Sequence, residues 1–305
     1  MAQDQKPKNY KTEWSFSFEK LGDNIREFVT DVTNNAEEEI KSATYSAEIA
    51  GAAAARVRID LSVGETAVTT LPATEDVIVA NLIYVGEIKF VAETDADNVR
   101  IIHLNQSAGA REWFRGALGW FGSKQKLRWD IGITPSIPVD LDIRGGVGTT
   151  NLDLTGMNIS ALHVAGGAGE IDLHMPTGTY AATVDVGVGQ ISITIPTGAH
   201  VELNVGGGVG QINLDIEDGA TASARLRGGV GEFNVRVPEN TPISLTAKSG
   251  IGGINVPARL IRLSGTDTNF DRSGMWQSTS FEGVVADTRP IIIHYDGGIG
   301  SFNLR

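Results

Sequence analysis

The stretch "GGVGQINLDI" at residues 207–216 is one copy of a phrase that recurs along the chain. Aligned on the last glycine of the turn, Gly148, Gly169, Gly189, Gly210, Gly231 and Gly252 follow one another at separations of 21, 20, 21, 21 and 21 residues. "GGIGSFNLR" at 297–305 adds a further copy at Gly300. Five and seven positions before the glycine stand mostly apolar residues, such as Leu141 and Ile143, Leu203 and Val205, or Ile293 and Tyr295. Two and four positions after it stand Ile191 and Ile193, Ile212 and Leu214, or Phe302 and Leu304. Both segments alternate with period two, the pattern of half-buried strands. Each repeat is therefore a strand, a glycine turn, a second strand and a second turn, the latter visible as "PTG" at 176–178 and 196–198, "EDG" at 217–219 and "PEN" at 238–240. A two-strand unit cannot bury its apolar face alone. Stacked units can, rung on rung at about 4.8 Å. The pattern predicts an all-β protein, a β-solenoid with about 21 residues per two-strand coil, in which the glycines permit positive φ where a Cβ would meet the neighbouring rung. Weaker copies, "LSVGETAV" at 61–68 and "YVGEIKF" at 84–90, extend it upstream through Gly64 and Gly86.

Composition agrees with a folded chain. Of 305 residues 41% are hydrophobic and 20% charged, and 37 are glycine. The formal charge of −12 argues against a nucleic-acid binder, which needs a basic stripe to neutralise phosphates. With no cysteine, disulfides and thiolate chemistry are excluded. The N-terminal "MAQDQKPKNYKTEWSF" has no apolar h-region, and no apolar run reaches the length that crosses a bilayer. The expectation is a cytoplasmic protein without a signal peptide or transmembrane helix, one that can sit at the membrane periphery.

Three segments depart from the repeat. Residues 12–45 have a helical stripe of Leu21, Ile25, Phe28, Val29, Val32 and Ile40, which predicts an amphipathic helix able to cover one end of the coil. This gives an N-terminal arm and helix over 1–50 and a solenoid over 51–305. Residues 107–129 are basic and aromatic within an acidic chain: Arg111, Trp113, Phe114, Arg115, Trp120, Phe121, Lys124 and Lys126, with Arg128 and Trp129 following. Such a mixture suits either a membrane or partner contact or a loop packed on the acidic helix. Residues 257–290 form a longer irregular excursion. "SFNLR" at 301–305 still fits the strand template, so the final coil is expected to present an unpaired edge for end-to-end self-association unless another segment covers it.

"LRWDIGITPSIPVDLDIRGGVGTTNLDL" at 127–154, the serial glycine turns, and "MWQSTSFEGV" at 275–284 before "IIIHYDGGIGSFNL" at 291–304 together resemble the bacterial toastrack domains. That group includes the C-terminal domain of LiaF-type cell-wall-active-antibiotic-response proteins and related proteins named "putative adhesins". The likeness covers roughly residues 56–305 and includes the Trp-x-Ser of Trp276 to Ser278. It implies a β-solenoid sensing or interaction module of bacterial envelope-stress systems, often attached to transmembrane helices, which this sequence does not show. The family supplies no catalytic motif.

Motifs that would carry chemistry do not fit. Calcium-binding repeats place an acid at the sixth position of GGxGxD and recur every nine residues. Here that position holds Ile171, Ile191, Ile212, Phe233 or Ile254. No turn continues as GxGxxG into a helix, so no dinucleotide site is expected. Asp153, Asp172 and His174 lie near one another by register but fall short of a ligand set, and no metal or other cofactor is assigned. No serine, histidine and acid group in a nucleophile context, so no catalytic residue is assigned. Three positions after each glycine come Asn151, Asp172, Ser192, Asn213, Asn234, Asn255 and Asn303, an outward row that predicts a stacked polar ladder. The function expected is a non-enzymatic interaction or scaffold module binding a protein or envelope component along the coil. The alternatives are a peripheral membrane protein docking through 111–129, a self-assembling structural protein and, last, a carbohydrate-active enzyme, for which no carboxylate pair stands out.

Overall fold

Alternation of buried and exposed side chains persists along almost every strand of the computed structural model, which describes residues 40–106, 127–185, 187–266, 272–281 and 290–305. The strands are β1 (Lys41–Glu48), β2 (Ala54–Thr70), β3 (Asp76–Tyr84), β4 (Ile88–Thr94), β5 (Val99–Gln106), β6 (Arg128–Ile133), β7 (Val139–Asp153), β8 (Ile159–His174), β9 (Gly178–Asp185) and β10 (Val188–Ile195). There follow β11 (Ala199–Gly206), β12 (Val209–Ile216), β13 (Thr221–Arg227), β14 (Val230–Arg236), β15 (Ile243–Ile251), β16 (Ile254–Asn255), β17 (Leu260–Ser264), β18 (Arg272–Ser278) and β19 (Ile291–Leu304). Among the described residues the only helical element is a 3₁₀ turn at Thr279–Phe281.

Two sheets meet along the glycine corner. Strands β2, β7, β8 and β19 run through it unbroken, each contributing to both sheets, while β9 with β10, β11 with β12 and β13 with β14 are split by it. The rungs stack parallel and in register. Gly64 lies beside Gly148, and then Gly169, Gly189, Gly210 and Gly231 follow. These glycines have φ between +125° and +145°, a region closed to other residues. At Gly210 a Cβ would also fall far inside van der Waals contact of the Gly189 carbonyl oxygen. The corner thus needs glycine twice over, for its dihedral and for the approach of the next rung.

The inward rows read from the sequence form the core. Val57, Ile59, Leu141, Ile143, Leu203, Val205 and Leu245 line one sheet, and Leu152, Leu173, Ile191, Ile193, Leu214, Val235 and Phe302 line the other, all essentially buried. Equivalent side chains on neighbouring rungs touch, so the core is a continuous cluster along the coil. Second turns close tightly, as where the Ala199 N–H donates to Pro196 O at 3.0 Å and the Ala220 N–H to Glu217 O at 3.1 Å.

Several expectations need correction. Residues 41–45, assigned to the end of an amphipathic helix over 12–45, belong instead to β1, which pairs antiparallel with β3. Its Thr44 and Tyr45 are good strand formers, and Ala43, Tyr45 and Ala47 turn to the less exposed side in alternation. The rest of that helix lies outside the described residues. The Gly86 turn does not join the glycine ladder, because β3 and β4 run antiparallel to β6 and β5. Together they make a reversed rung that closes this end of the coil, with Tyr45 of β1 against Phe90 of β4, ring centroids 5.5 Å apart.

The largest correction concerns rung order. The C-terminal strand is not an open edge: β19 lies between the Gly231 and Gly252 rungs, parallel to β13 and β14 on one side and to β15 and β16 on the other. Its backbone groups are taken up on both sides, so the expected route to end-to-end association through "SFNLR" is absent. The terminal strands among the described residues are instead β1 and β4 at one end and β16 and β17 at the other. β18 pairs antiparallel with β15 and β17. The Trp-x-Ser segment lies there: the Arg262 guanidinium stacks over Trp276 at 5.4 Å, and Ser278 Oγ accepts the Ile243 N–H at 3.0 Å.

Replacing Gly210 with Ala is expected to lower stability by about 3 kcal/mol, the upper range of enforced backbone strain. Urea unfolding should show an earlier midpoint and an unchanged slope. Equal stability would contradict the close approach of the two rungs.

Candidate functional site

Because strands alternate, each sheet also has an outward face whose rows repeat with the coil. On the second-arm sheet, built from the segments that follow the corner glycine (those before it making the first-arm sheet), the row three after the glycine is polar. Asn234 Nδ2 donates to Asn213 Oδ1 at 3.2 Å, Asn303 Nδ2 to Asn234 Oδ1 at 2.9 Å, and Asn255 Nδ2 to Asn303 Oδ1 at 2.6 Å. Gln211 and Glu232 join from the adjacent row, at 2.8 Å to Asn213 Oδ1 and 2.6 Å from Asn303 Nδ2. This run spends its donors and acceptors along the coil axis, which stiffens the stack. It stops at Asn213. Asn151 and Ser192 make no side-chain hydrogen bond among the described residues, and Asp172 only approaches His174, at 3.6 Å. Asp153 instead accepts the Thr155 N–H at 3.1 Å, so the three residues weighed as a metal group do not converge. Among the described residues no group of three or more metal-ligating side chains occurs.

The first-arm sheet holds a network that the sequence reading did not pick out. His163 of β8 lies between rungs, its Nδ1 2.9 Å from Asp142 Oδ1 and its Nε2 3.5 Å from Asp185 Oδ2. Arg144 donates to Asp142 at 2.8 Å. One rung pair further along, Asp60 is held by Arg58 at 3.0 Å and lies 2.7 Å from His103 Nε2. The signal was present, since Asp142 and His163 are 21 residues apart and so fall on adjacent rungs. Burial pushes the Asp142 carboxyl up, but the hydrogen bonds and charges of Arg144 and His163 outweigh it and hold Asp142 below the usual carboxylate range. Asp60 is lowered in the same way, with burial opposed by His103 and Arg58. Charges here are paired, leaving a compensated surface and not an ion site.

A third row lies at the corner itself. The residue before each glycine points outward, giving Val188, Val209, Val230, Ile299 and Ile251 in register on successive rungs. These side chains are between 44% and 62% exposed, an apolar ridge along the coil. Beside it, between the Gly210 and Gly231 rungs, the turn glycines border a shallow open hollow lined by Gly207, Gly228, Gly229 and Tyr295. The aromatic side chains among the described residues are buried or half-buried.

Arg111, Trp113, Phe114, Arg115, Trp120, Phe121, Lys124 and Lys126 lie outside the described residues. Their neighbours do not. Trp129 is buried in the core on β6, and Arg128 pairs with Asp130 at 2.7 Å. Leu127 sits against Gly64, its carbonyl accepting the Glu65 N–H at 3.0 Å. The chain thus leaves β5 and rejoins β6 at the corner where other rungs turn on glycine. No helix among the described residues is long and apolar enough to cross a membrane.

The depressed carboxyls set a sign for acid behaviour. Stability from Asp60 and Asp142 is present above the unfolded carboxylate range, near pH 4, and is lost as pH falls through their lower folded values. Asp142→Asn should cost about 1–2 kcal/mol at pH 7 and flatten the acid limb of a stability-against-pH curve. A limb as steep as that of the wild type would contradict this assignment.

No curated protein matches the chain. Among solved structures, a "putative cell adhesion protein" from Clostridium sporogenes ATCC 15579 is similar at 14% identity and a TM-score of 0.41, over 87% of this chain and 99% of that one. A "putative adhesin" from Bacteroides fragilis NCTC 9343 is similar at 12% identity and a TM-score of 0.28, over 89% and 100%. The family described as "N-terminal domain of toast_rack, DUF2154" matches residues 32–194, a stretch that runs from before β1 into β10 and takes in the first rungs of the glycine ladder. On that match, the chain belongs to the toast-rack family.

Proposed function

We propose that the protein is a non-enzymatic interaction module of the bacterial cell envelope, binding a protein or envelope component along the coil. The observation that carries this reading is the ridge of Val188, Val209, Val230, Ile299 and Ile251. Every rung could end its corner with a polar residue at no cost to the core, yet these five expose β-branched side chains in line. Exposed apolar surface of that continuity is a feature of contact sites. The acidic and histidine side chains best placed for chemistry are engaged with arginines or with one another.

Substituting Val188, Val209 and Val230 together by Ser should leave stability nearly unchanged, because the side chains are largely solvated. Binding to isolated bacterial sacculi or membrane vesicles should fall at least tenfold. Cosedimentation of wild type and variant measures both. Undiminished binding by the triple variant, or none by the wild type, would overturn the reading.

A second reading is peripheral docking to a membrane through Arg111 to Lys126. It is favoured by the position of Gln106 and Leu127, which place the ends of that basic aromatic segment at the same corner as the ridge. Cations near an anionic surface contribute about 1 kcal/mol each. Sedimentation with anionic vesicles should then be reduced by Trp113→Ala with Trp120→Ala and abolished by high salt. Equal binding to neutral vesicles would count against it.

A further inference from the structure

On the outward face of the first-arm sheet, the row six positions before each corner glycine changes character partway along the coil. It begins with Arg58, Asp142 and His163, where every charge has a partner: Arg58 with Asp60 at 3.0 Å, Arg144 with Asp142 at 2.8 Å, and His163 2.9 Å from Asp142. From the next rung on, the row reads Thr183, Asn204, Arg225, His294 and Thr246, register partners on β9, β11, β13, β19 and β15. None of these five side chains makes a hydrogen bond or an ion pair among the described residues. The row thus holds donors on five successive rungs, about 19 Å end to end at strand spacing, and no carboxylate. Arg227 and Lys248, two positions further along their strands from Arg225 and Thr246, are exposed and equally without a partner among the described residues. Two carboxylates border the patch, Asp296 between Arg227 and Lys248 in register, and Glu202 on the strand beside Arg225. Neither closes an ion pair with these cations, whereas Asp60, Asp140 and Asp142 on the N-terminal rungs all do so with arginines.

The backbone beneath this row is taken up in ladders on both sides of each strand, so recognition falls to the side chains. An extended peptide, which binds a sheet through main-chain hydrogen bonds at an open edge, finds no such edge here. The fitting ligand is a linear chain whose own groups are acceptors. Arg225 and Arg227, about 7 Å apart on one strand, present guanidinium forks of the kind that take phosphate oxygens in pairs. Thr183, Asn204 and Thr246 suit the neutral oxygens between such charges. Cations set among neutral donors match a polyol joined by phosphodiester links better than a polyanion of dense charge, which the formal charge of −12 on the rest of the chain opposes. We propose that the row from Thr183 to Thr246, with Arg227 and Lys248 beside it, is a binding site for an anionic polyol chain of the poly(glycerol phosphate) kind. The site lies on the sheet face, apart from the corner that carries the ridge of Val188, Val209 and Val230, so the two surfaces can be altered separately.

The probe is a dye-labelled poly(glycerol phosphate) chain, with labelled dextran as the uncharged control and single-stranded DNA as the polyanion of denser charge. Fluorescence anisotropy should show binding of the polyol phosphate that weakens as salt rises, and no binding of dextran. Arg225→Glu with Arg227→Glu should lower the affinity about tenfold or more, and Asp296→Asn should raise it about threefold, because one change reverses and the other removes a charge beside the bound phosphates. Replacing the ridge residues Val188, Val209 and Val230 by Ser should leave the affinity unchanged, which separates this site from the ridge. The altered side chains are exposed, so melting temperatures should hold. If the double Glu variant nevertheless unfolds, Arg225→Gln with Lys248→Gln brings no new charge and should show the same loss. No binding by the wild type, an affinity untouched by either pair of substitutions, or dextran or DNA bound as tightly as the polyol phosphate would overturn the proposal.

Discussion

The approach of each corner glycine to the carbonyl of the rung beside it is the constraint on which the structure depends. Two sheets can share a corner at one-rung spacing only if nothing projects from the turning residue toward its neighbour. Positive φ aims the missing side chain directly at that neighbour. Once the corner is so tight, the arms on either side must stack in register, because a shift of one residue would bring a Cβ against a carbonyl and turn the apolar rows outward. The core, the outward ladders and the apolar ridge all follow from that register. A row on the surface is a position in the repeat, read down the coil.

This is why much of the fold was legible. The spacing of Gly148 to Gly252 and the alternation on both sides give the rung, its inward rows and the outward position of Asn213, Asn234 and Asn303. Rung order was not legible. The Gly252 repeat has the same spacing as its predecessors, so nothing local distinguishes stacking on β14 from stacking across β19. The choice is made by long-range terms, the Phe233, Tyr295 and Phe302 packing and the hold of Arg259 on the turn carbonyls of Val237, Pro238 and Glu239. The reversed rung at the other end escaped for a similar reason, since "YVGEIKF" alternates equally well in either direction. β1 was misread because a short stripe of apolar residues before it has helical spacing.

Of the candidate surfaces, the amide ladder could be seen because identical residue types recur. The Asp142, His163 and Asp185 group could not, since the register partners Asp142 and His163 differ in type and Asp185 stands two residues further along its strand, beside Ala165. The ridge was overlooked for another reason. A valine before a turn glycine reads as part of the turn, and only the fold shows that among the described residues it stays largely exposed.

Rung order at the C-terminal end, with β19 between β14 and β16, is the central feature of this fold. Side-chain amide cross-relaxation in protein labelled at asparagine measures that order directly. The predicted result is contact of Asn303 with both Asn234 and Asn255, and none between Asn234 and Asn255. Direct contact between Asn234 and Asn255, with Asn303 outside them, would contradict it.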